Sequence, residues 1–231
     1  MNNNAMQFLF GDRELLLKKS DLFSASVDVI VNPANGGLSH GGGVAAKFVE
    51  LGGEIIQDES DQFINEHGQL ESGMVAITTA GNLPYKAALH AVGPRMGEGD
   101  EQNKLRRAVS NCLKLCSMHD WESIAFPAIS SGVFSVPIDI VAEAFFHAIT
   151  SFWDARIDGA PNKIVICLTD NNFQPFFNAF RNVSMVPENE TFQENSISKQ
   201  EDEQIIETGE VSLNEEDISV LENDDVNDWF K

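Results

Sequence analysis

Cysteine is scarce in this sequence: its 231 residues include only Cys112, Cys116 and Cys167. An odd number of widely spaced thiols does not form a disulfide framework. Cys112 and Cys116 also have no second pair of Cys or His nearby that could complete a zinc site. We therefore expect three buried thiols in a reducing, cytoplasmic compartment, and no bound metal.

Long apolar runs are also missing. No stretch approaches the about 18 consecutive apolar residues that a membrane-spanning helix needs, so we expect no membrane span. The N-terminus, Met1-Asn2-Asn3-Asn4, lacks a basic region followed by an apolar stretch. It therefore does not predict a secretory signal.

Positive charge is in short supply, because 15 Lys and Arg stand against 36 Asp and Glu, for a net charge of −21. Such a chain repels nucleic acid and anionic membranes, so we exclude both as partners. Residues 185–231 hold 15 of the acids and only two lysines, and their few apolar residues are isolated. We predict one domain over residues 1–184 and an acidic, mostly disordered tail over residues 185–231.

Within residues 1–184, short apolar segments alternate with amphipathic ones. The run KIVICL (163–168) predicts a strand buried on both faces, and residues 104–119 carry apolar side chains at helical spacing. This alternation predicts an α/β fold in which helices cover a sheet. The predicted strands are 27–31, 75–79, 87–92, 123–126 and 163–168, and the predicted helices are 44–51, 58–67, 104–119, 137–152 and 174–181.

A glycine-rich loop follows the first of these buried strands. The segment VIVNPAN (29–35) leads to His40 and then to Gly41, Gly42 and Gly43 at the start of a helix. Glycines let the backbone approach a ligand closely, and their amides together with the free N–H groups of the helix form an anion site suited to a diphosphate. Taken alone, the run is equally compatible with a tight turn. It has neither the GxGxxG spacing nor the lysine of a P-loop.

A second loop of small residues strengthens the interpretation as a diphosphate site. The segment IAFPAISSGVF (124–134) predicts a strand that runs into a Ser-Ser-Gly turn. Loops at the carboxyl ends of parallel strands gather at one edge of a sheet, where ligands bind. Two such loops could hold a diphosphate from both sides.

Four motifs in one order resemble the macro domain, a module that binds ADP-ribose. They are VDVIVNPAN, HGGGVAA, SGMVAITTAGNLPYKAALHAVGP and SIAFPAISSGVF, and the resemblance spans residues 13–181. The chain looks most similar to the first macro domains of PARP-family ADP-ribosyltransferases, and next to viral macro domains. The resemblance implies a three-layer α/β/α fold with a central mixed sheet.

The resemblance also implies an ADP-ribose cleft whose residues can be carried over to this sequence position by position. They are Asp21, Leu22, Ala34, Asn35, Gly41, Gly42, Gly43, Val44, Ala45, Pro127, Ser130, Ser131, Gly132, Val133, Phe134, Thr169 and Asn171.

Particular roles follow for some of these residues. Asp21 matches the aspartate that binds adenine, although an exposed turn residue is the alternative. Asn35 matches the asparagine that contacts the distal ribose, and Phe134 is expected to pack against that ribose unless it is only a core aromatic. His40 is expected to line the same end of the cleft rather than to be an ordinary surface group.

The resemblance implies an enzyme that removes mono-ADP-ribose from Asp or Glu side chains of modified proteins, with no cofactor. The residues assigned to that reaction are Asn35, His40, Gly43 and Phe134. A non-catalytic reader and a deacetylase of O-acetyl-ADP-ribose are the alternatives. We expect a monomer whose partners are ADP-ribose and mono-ADP-ribosylated proteins.

Three departures from the family pattern bear on this expectation. Hydrolases of the mitochondrial type carry an aspartate where this chain has Ala45. Ser20 replaces the usual glycine before Asp21, and Thr169 stands where the family has an adenine-stacking aromatic, a role that Phe173 is a candidate to take over.

The acidic tail allows three interpretations. A solvated segment that aids solubility is the simplest one. The tail also resembles the Glu-rich C-termini that direct bacterial type IV effectors into a host cell, and Trp229-Phe230 is a candidate partner-binding motif.

Overall fold

The computed structural model describes residues 4–181 and the backbone of residues 185–186. A two-residue strand, Met185–Val186, lies just past the predicted domain boundary. The rest of the predicted tail, including Trp229-Phe230, lies outside the described residues.

A mixed sheet forms the centre of the described fold. Its eight strands lie in the order β4-β5-β3-β6-β7-β2-β1-β8. The inner strands β5, β3, β6, β7 and β2 are parallel, whereas β4, β1 and β8 pair antiparallel with their neighbours. The strands are β1 (Ala5–Phe10), β2 (Arg13–Lys19), β3 (Val29–Ala34), β4 (Val75–Thr78), β5 (Ala87–Val92), β6 (Ser123–Pro127), β7 (Lys163–Leu168) and β8 (Met185–Val186).

Helices cover both faces of this sheet, as predicted. Val29 and Val31 of β3 face a large core built with α3, α4 and α5, while Ile30 between them packs with Phe48 of α1 and Ile56 of α2 on the opposite face. This alternation follows from the two-residue repeat of a strand. The helices are α1 (Gly43–Gly52), α2 (Ile55–His67), α3 (Glu101–Met118), α4 (Ile138–Asp154) and α5 (Asp170–Phe180). The predicted three-layer α/β/α fold is confirmed.

The boundaries of some elements differ from the prediction. α3 begins at Glu101 rather than 104, and α5 at Asp170 rather than 174, because polar residues that open a helix carry no apolar signal. β1, β2 and β8 are absent from the predicted strands. They lie together at one side of the sheet, where β1 pairs with both β2 and β8.

The parallel strands bring five loops to one edge of the sheet. Lys19 pairs with Leu168, Pro127 with Cys167, and Ala34 with Val92, so these strands end side by side. Across this edge the loops follow β5, β3, β6, β7 and β2 in that order. The two predicted diphosphate loops, after β3 and β6, are therefore neighbours.

The turn between β4 and β5 depends on Gly81, which packs against the end of α1. Gly81 has a φ of +58°, and a Cβ atom there would overlap the Gly52 carbonyl oxygen. We expect Gly81→Ala to lower the free energy of unfolding by about 3 kcal/mol, since a left-handed backbone and a backbone clash both oppose the side chain. Urea unfolding measures this loss.

Gly11 provides the matched control. It has a φ of +68°, but a Cβ atom at this position would have no other atom within 4 Å. Gly11→Ala should therefore cost only the backbone strain, about 1 kcal/mol. Equal losses for the two variants would show that the contact with α1 contributes nothing.

Candidate functional site

Asn35 closes the loop that follows β3. Its Oδ1 accepts hydrogen bonds from the backbone N–H of Gly37 (3.0 Å) and Ser39 (3.3 Å), and its Nδ2 donates to the Ser39 carbonyl at 2.7 Å. Both acceptor positions of Oδ1 are thus used, and one N–H of the amide remains for a ligand. The predicted contact of Asn35 with a ribose stays a prediction, but it must be made through this single N–H.

Helix α2 holds the same loop through the side chain of Gln57. Gln57 accepts from the His40 backbone N–H at 3.1 Å and donates to the Leu38 carbonyl at 3.2 Å. Leu38 is fully buried, and Gly36 lies directly against the backbone of Leu70. Sequence reasoning missed Gln57, because a single glutamine on a polar helix face belongs to no pattern that indicates a contact with a loop.

A buried network of hydrogen bonds anchors the base of this loop. Asn32 Nδ2 donates to Nδ1 of His40 at 3.1 Å and to Nδ1 of His90 at 2.9 Å. His40 Nε2 lies 2.9 Å from Ser60 Oγ, and His90 Nε2 lies 2.8 Å from Thr78 Oγ1. The two imidazole rings stack with their centroids 4.8 Å apart.

The hydrogen-bond donors and acceptors of the network determine which ring nitrogens carry protons. Because the Asn32 amide donates to both Nδ1 atoms, each imidazole is neutral and carries its proton on Nε2. The two hydroxyls can accept these protons, since Ser60 donates onward to Ile56 O (2.7 Å) and Thr78 to Thr79 O (2.9 Å). Asn32 Oδ1 is buried without a partner among the described residues.

Burial also favours the neutral rings. It lowers the pKa of His40, with the Asp61 carboxylate opposing, and it holds the pKa of His90 well below its usual range, with His40 as a second cause. A proton added to Nδ1 of either ring would face the Asn32 amide donor.

This network corrects the role predicted for His40. Its side chain is only 6% exposed and both ring nitrogens are engaged, so it is not a cleft residue free to transfer protons. It positions the backbone that leads into the glycine loop. The structural role expected for His90 as a strand residue agrees with its complete burial.

The first glycine loop presents its backbone to solvent. Gly41, Gly42 and Gly43 are exposed, and no atom lies within 4 Å of the Cβ position of any of them. Gly43 has a φ of +58°, a conformation that glycine adopts without strain, and it opens α1. The first turn of α1 has no acidic residue and no side-chain cap, so its N–H groups are available to an anion. Val44 and the buried Ala45 continue the helix.

The second loop stores strain at Ser130. This residue has a φ of +66° and is only 6% exposed, and its Oγ lacks a hydrogen-bond partner among the residues described. Gly93 lies so close that a Cβ there would overlap Ser130 Oγ. A strained residue with an unsatisfied hydroxyl is a mark of a functional position. Ser131 Oγ donates to Ala128 O at 2.7 Å, and the turn leaves Gly132 and Val133 exposed.

Phe134 ends this loop and is half-buried, outside the core clusters of the described fold. Its backbone carbonyl accepts from Met96 N at 2.9 Å, and its ring lies under the Arg95 guanidinium, 4.2 Å from the ring centroid. Sequence reasoning missed Arg95 as a site residue. The strand-end segment HAVGP directly precedes Arg95, but it indicates only the family and assigns no contact to the arginine.

The opposite end of the edge is formed by the loops after β2 and β7. Asp21 Oδ1 accepts from Phe23 N at 3.2 Å, and its Oδ2 lies 3.5 Å from Lys47 Nζ on α1. Leu22 is buried, whereas Thr169 and Asn171 are exposed at the start of α5. Phe173 does not replace the missing aromatic, because it is buried in the core of α5 with Lys19 over its ring.

Of the helices within residues 4–181, none combines the length and apolarity that crossing a membrane requires. Over the same residues, no three His, Cys, Asp or Glu side chains are arranged to hold a metal ion.

The buried imidazoles predict how stability depends on pH. The unfolded chain takes up protons on these histidines below about pH 6.5, whereas the folded chain resists them. Stability should therefore fall as the pH drops from 6.5 to 5.5, with His90 alone contributing about 1 kcal/mol over that unit. Urea unfolding at several pH values measures the slope, and His90→Gln should flatten it. An equal slope in the variant would contradict the assignment.

Comparisons with known proteins agree with this geometry. The family model for the macro domain matches residues 31–145. An uncharacterized protein of Pyrobaculum aerophilum is 39% identical over 176 residues, covering 76% of this chain and 96% of its own. The human protein mono-ADP-ribosyltransferase PARP14 is 40% identical over 149 residues, covering 63% of this chain and 8% of its own.

Solved structures extend the agreement to the whole described fold. A mutant of the Oceanobacillus iheyensis macrodomain solved with ADPR superimposes with a TM-score of 0.70 at 25% identity, covering 77% of this chain and 97% of that one. The resemblance inferred from the sequence motifs is therefore confirmed: the chain belongs to the macro domain family.

Proposed function

We propose that this protein binds ADP-ribose and hydrolyses mono-ADP-ribose from Asp- or Glu-modified proteins. The observation that carries the proposal is the pairing of two loops on adjacent strands. One presents the open amides of Gly41 to Gly43, and the other holds Ser130 in a strained conformation. Backbone amides at a helix N-terminus suit a diphosphate.

The strand order supports one direction for the ligand, given the family matches of Asp21 and Asn35. Adenosine lies at the end marked by Asp21, the diphosphate lies between the loops after β3 and β6, and the distal ribose reaches Asn35 and Phe134. With Phe173 buried, no aromatic face is offered to adenine from α5, so recognition at that end rests on Asp21 and Leu22. Asp21 must exchange its contact with Lys47 for one with adenine.

Hydrolysis proceeds by attack of water on the anomeric carbon of the distal ribose. The bond from that carbon to the acyl oxygen breaks, its electron pair stays on the departing carboxylate, and the proton of the water passes through a diphosphate oxygen to solvent. The remaining N–H of Asn35 orients the ribose, the amide of Gly43 fixes the diphosphate, and Phe134 limits the ribose to one face. Positioning supplies the rate acceleration, since Ala45 is apolar and both ring nitrogens of His40 are engaged.

A reader without catalytic activity is the second candidate. It is favoured by Ala45, which stands where related hydrolases have a carboxylate, and by the engagement of both His40 nitrogens. The two candidates share the binding cleft and differ only in turnover.

Turnover of a modified protein separates them. Incubation with a target automodified on Glu and Asp should release ADP-ribose, and Asn35→Ala should lower kcat/KM by about tenfold, because the hydrogen bond from its remaining N–H to the ribose is lost. Label that stays on the target while ADP-ribose still binds would establish the reader instead.

Calorimetry tests binding itself. Gly132→Glu should weaken the affinity for ADP-ribose by about 100-fold, because it places a carboxylate beside the diphosphate. Gly11→Glu is the control, since it adds the same charge in the β1–β2 turn, at the opposite edge of the sheet, with nothing within 4 Å. No measurable affinity in the wild-type protein would refute the proposed function altogether.

A further inference from the structure

Arg95 lies where the ligand leaves the cleft. Along the sheet edge, the loop after β5 follows the loop after β3, on the side away from Asp21. A ligand that runs from Asp21 to Asn35 therefore points its distal end at residues 93–99. Arg95 and Met96 are exposed in this loop, and Val133 is 86% exposed beside them, one residue before Phe134.

The guanidinium of Arg95 is held in place by an aromatic ring. Its Cζ lies 4.2 Å from the centroid of Phe134, and the two loops are joined by the hydrogen bond from Met96 N to Phe134 O. A guanidinium stacked on an aromatic face keeps the N–H groups at its edge free for a carboxylate. The same ring that meets the distal ribose thus presents a fixed positive charge.

The neighbouring acids are already engaged elsewhere. Glu98 binds Lys104 Nζ at 2.8 Å and the Arg95 backbone N–H at 3.0 Å. Although burial opposes it, these contacts lower the pKa of Glu98 to about 2. Glu101 accepts from the backbone N–H of Gly97 and Gly99. No described carboxylate lies within 4.0 Å of the Arg95 guanidinium, so its charge is directed outward.

We propose that Arg95 determines linkage specificity by favouring acceptor groups that leave as anions. This inference rests on the proposed hydrolysis. When the anomeric carbon–oxygen bond of an Asp or Glu ester breaks, the electron pair remains on a carboxylate, and Arg95 lies beside the place where that charge forms. A serine acceptor leaves as a neutral hydroxyl after taking up a proton, and an arginine acceptor leaves bearing a guanidinium that Arg95 repels.

The test compares one peptide sequence mono-ADP-ribosylated either on glutamate or on serine. For the wild-type protein, kcat/KM should be higher for the glutamate ester. Arg95→Gln should lower kcat for that ester about fivefold more than kcat for the serine-linked peptide, the effect of one partly exposed charge pair. Arg95→Lys should keep part of the preference, because it retains the charge.

Arg156→Gln is the matched control, because Arg156 is exposed beyond the end of α4, at the opposite edge of the sheet. It should leave both substrates unaffected. An equal loss for both peptides in Arg95→Gln would show that Arg95 only supports Phe134, and would overturn the inference while leaving hydrolysis intact. If the wild-type protein releases ADP-ribose from neither peptide, the proposed hydrolysis fails and the inference fails with it.

Discussion

The cleft depends on a single amide buried between two imidazoles. Asn32 sits at the carboxyl end of β3, and its two N–H groups tie the loop residue His40 to His90 of β5. Through Ser60 and Thr78 the network reaches α2 and β4. The network therefore joins β3, β4, β5, α2 and the loop after β3. Buried polar groups are costly unless paired, so the arrangement admits one geometry and fixes the point from which the glycine loop starts.

Much of this architecture could be predicted from local sequence, and the reasons are specific. The β-branched runs of β3 and β7 indicate buried strands by composition alone, and the glycines at 41–43 indicate a loop that needs unusual backbone freedom. The network could not be predicted in the same way. Asn32, Ser60 and His90 are far apart in the chain, and only the register of β3 against β5 places Asn32 opposite His90. The sequence therefore predicts a cleft position for His40, although its ring turns inward.

The site also shows how a strongly acidic protein can form a binding site for an anion. The field of a chain with a net charge of −21 opposes a diphosphate at long range. Screening confines that field to about 8 Å at physiological salt, and the first turn of α1 adds no carboxylate of its own. Inside that distance, the oriented amides of Gly42, Gly43 and Val44 dominate. Local dipoles thus decide binding at a surface whose overall charge would predict repulsion.

Since neither Ala45 nor His40 supplies a base, the two loops carry a larger share of the proposed reaction. Ala45 is apolar and both His40 nitrogens are engaged, so neither side chain is free to take a proton from water. In the proposed reaction, an oxygen of the ligand's own diphosphate then accepts the proton from the water. The protein bends the diphosphate back toward the ribose. The positions at which the loops after β3 and β6 begin determine this bend of the diphosphate. Asn32 holds the first through His40, and the strained backbone of Ser130 holds the second against Gly93, so the geometry that the proposed reaction needs is set by buried packing.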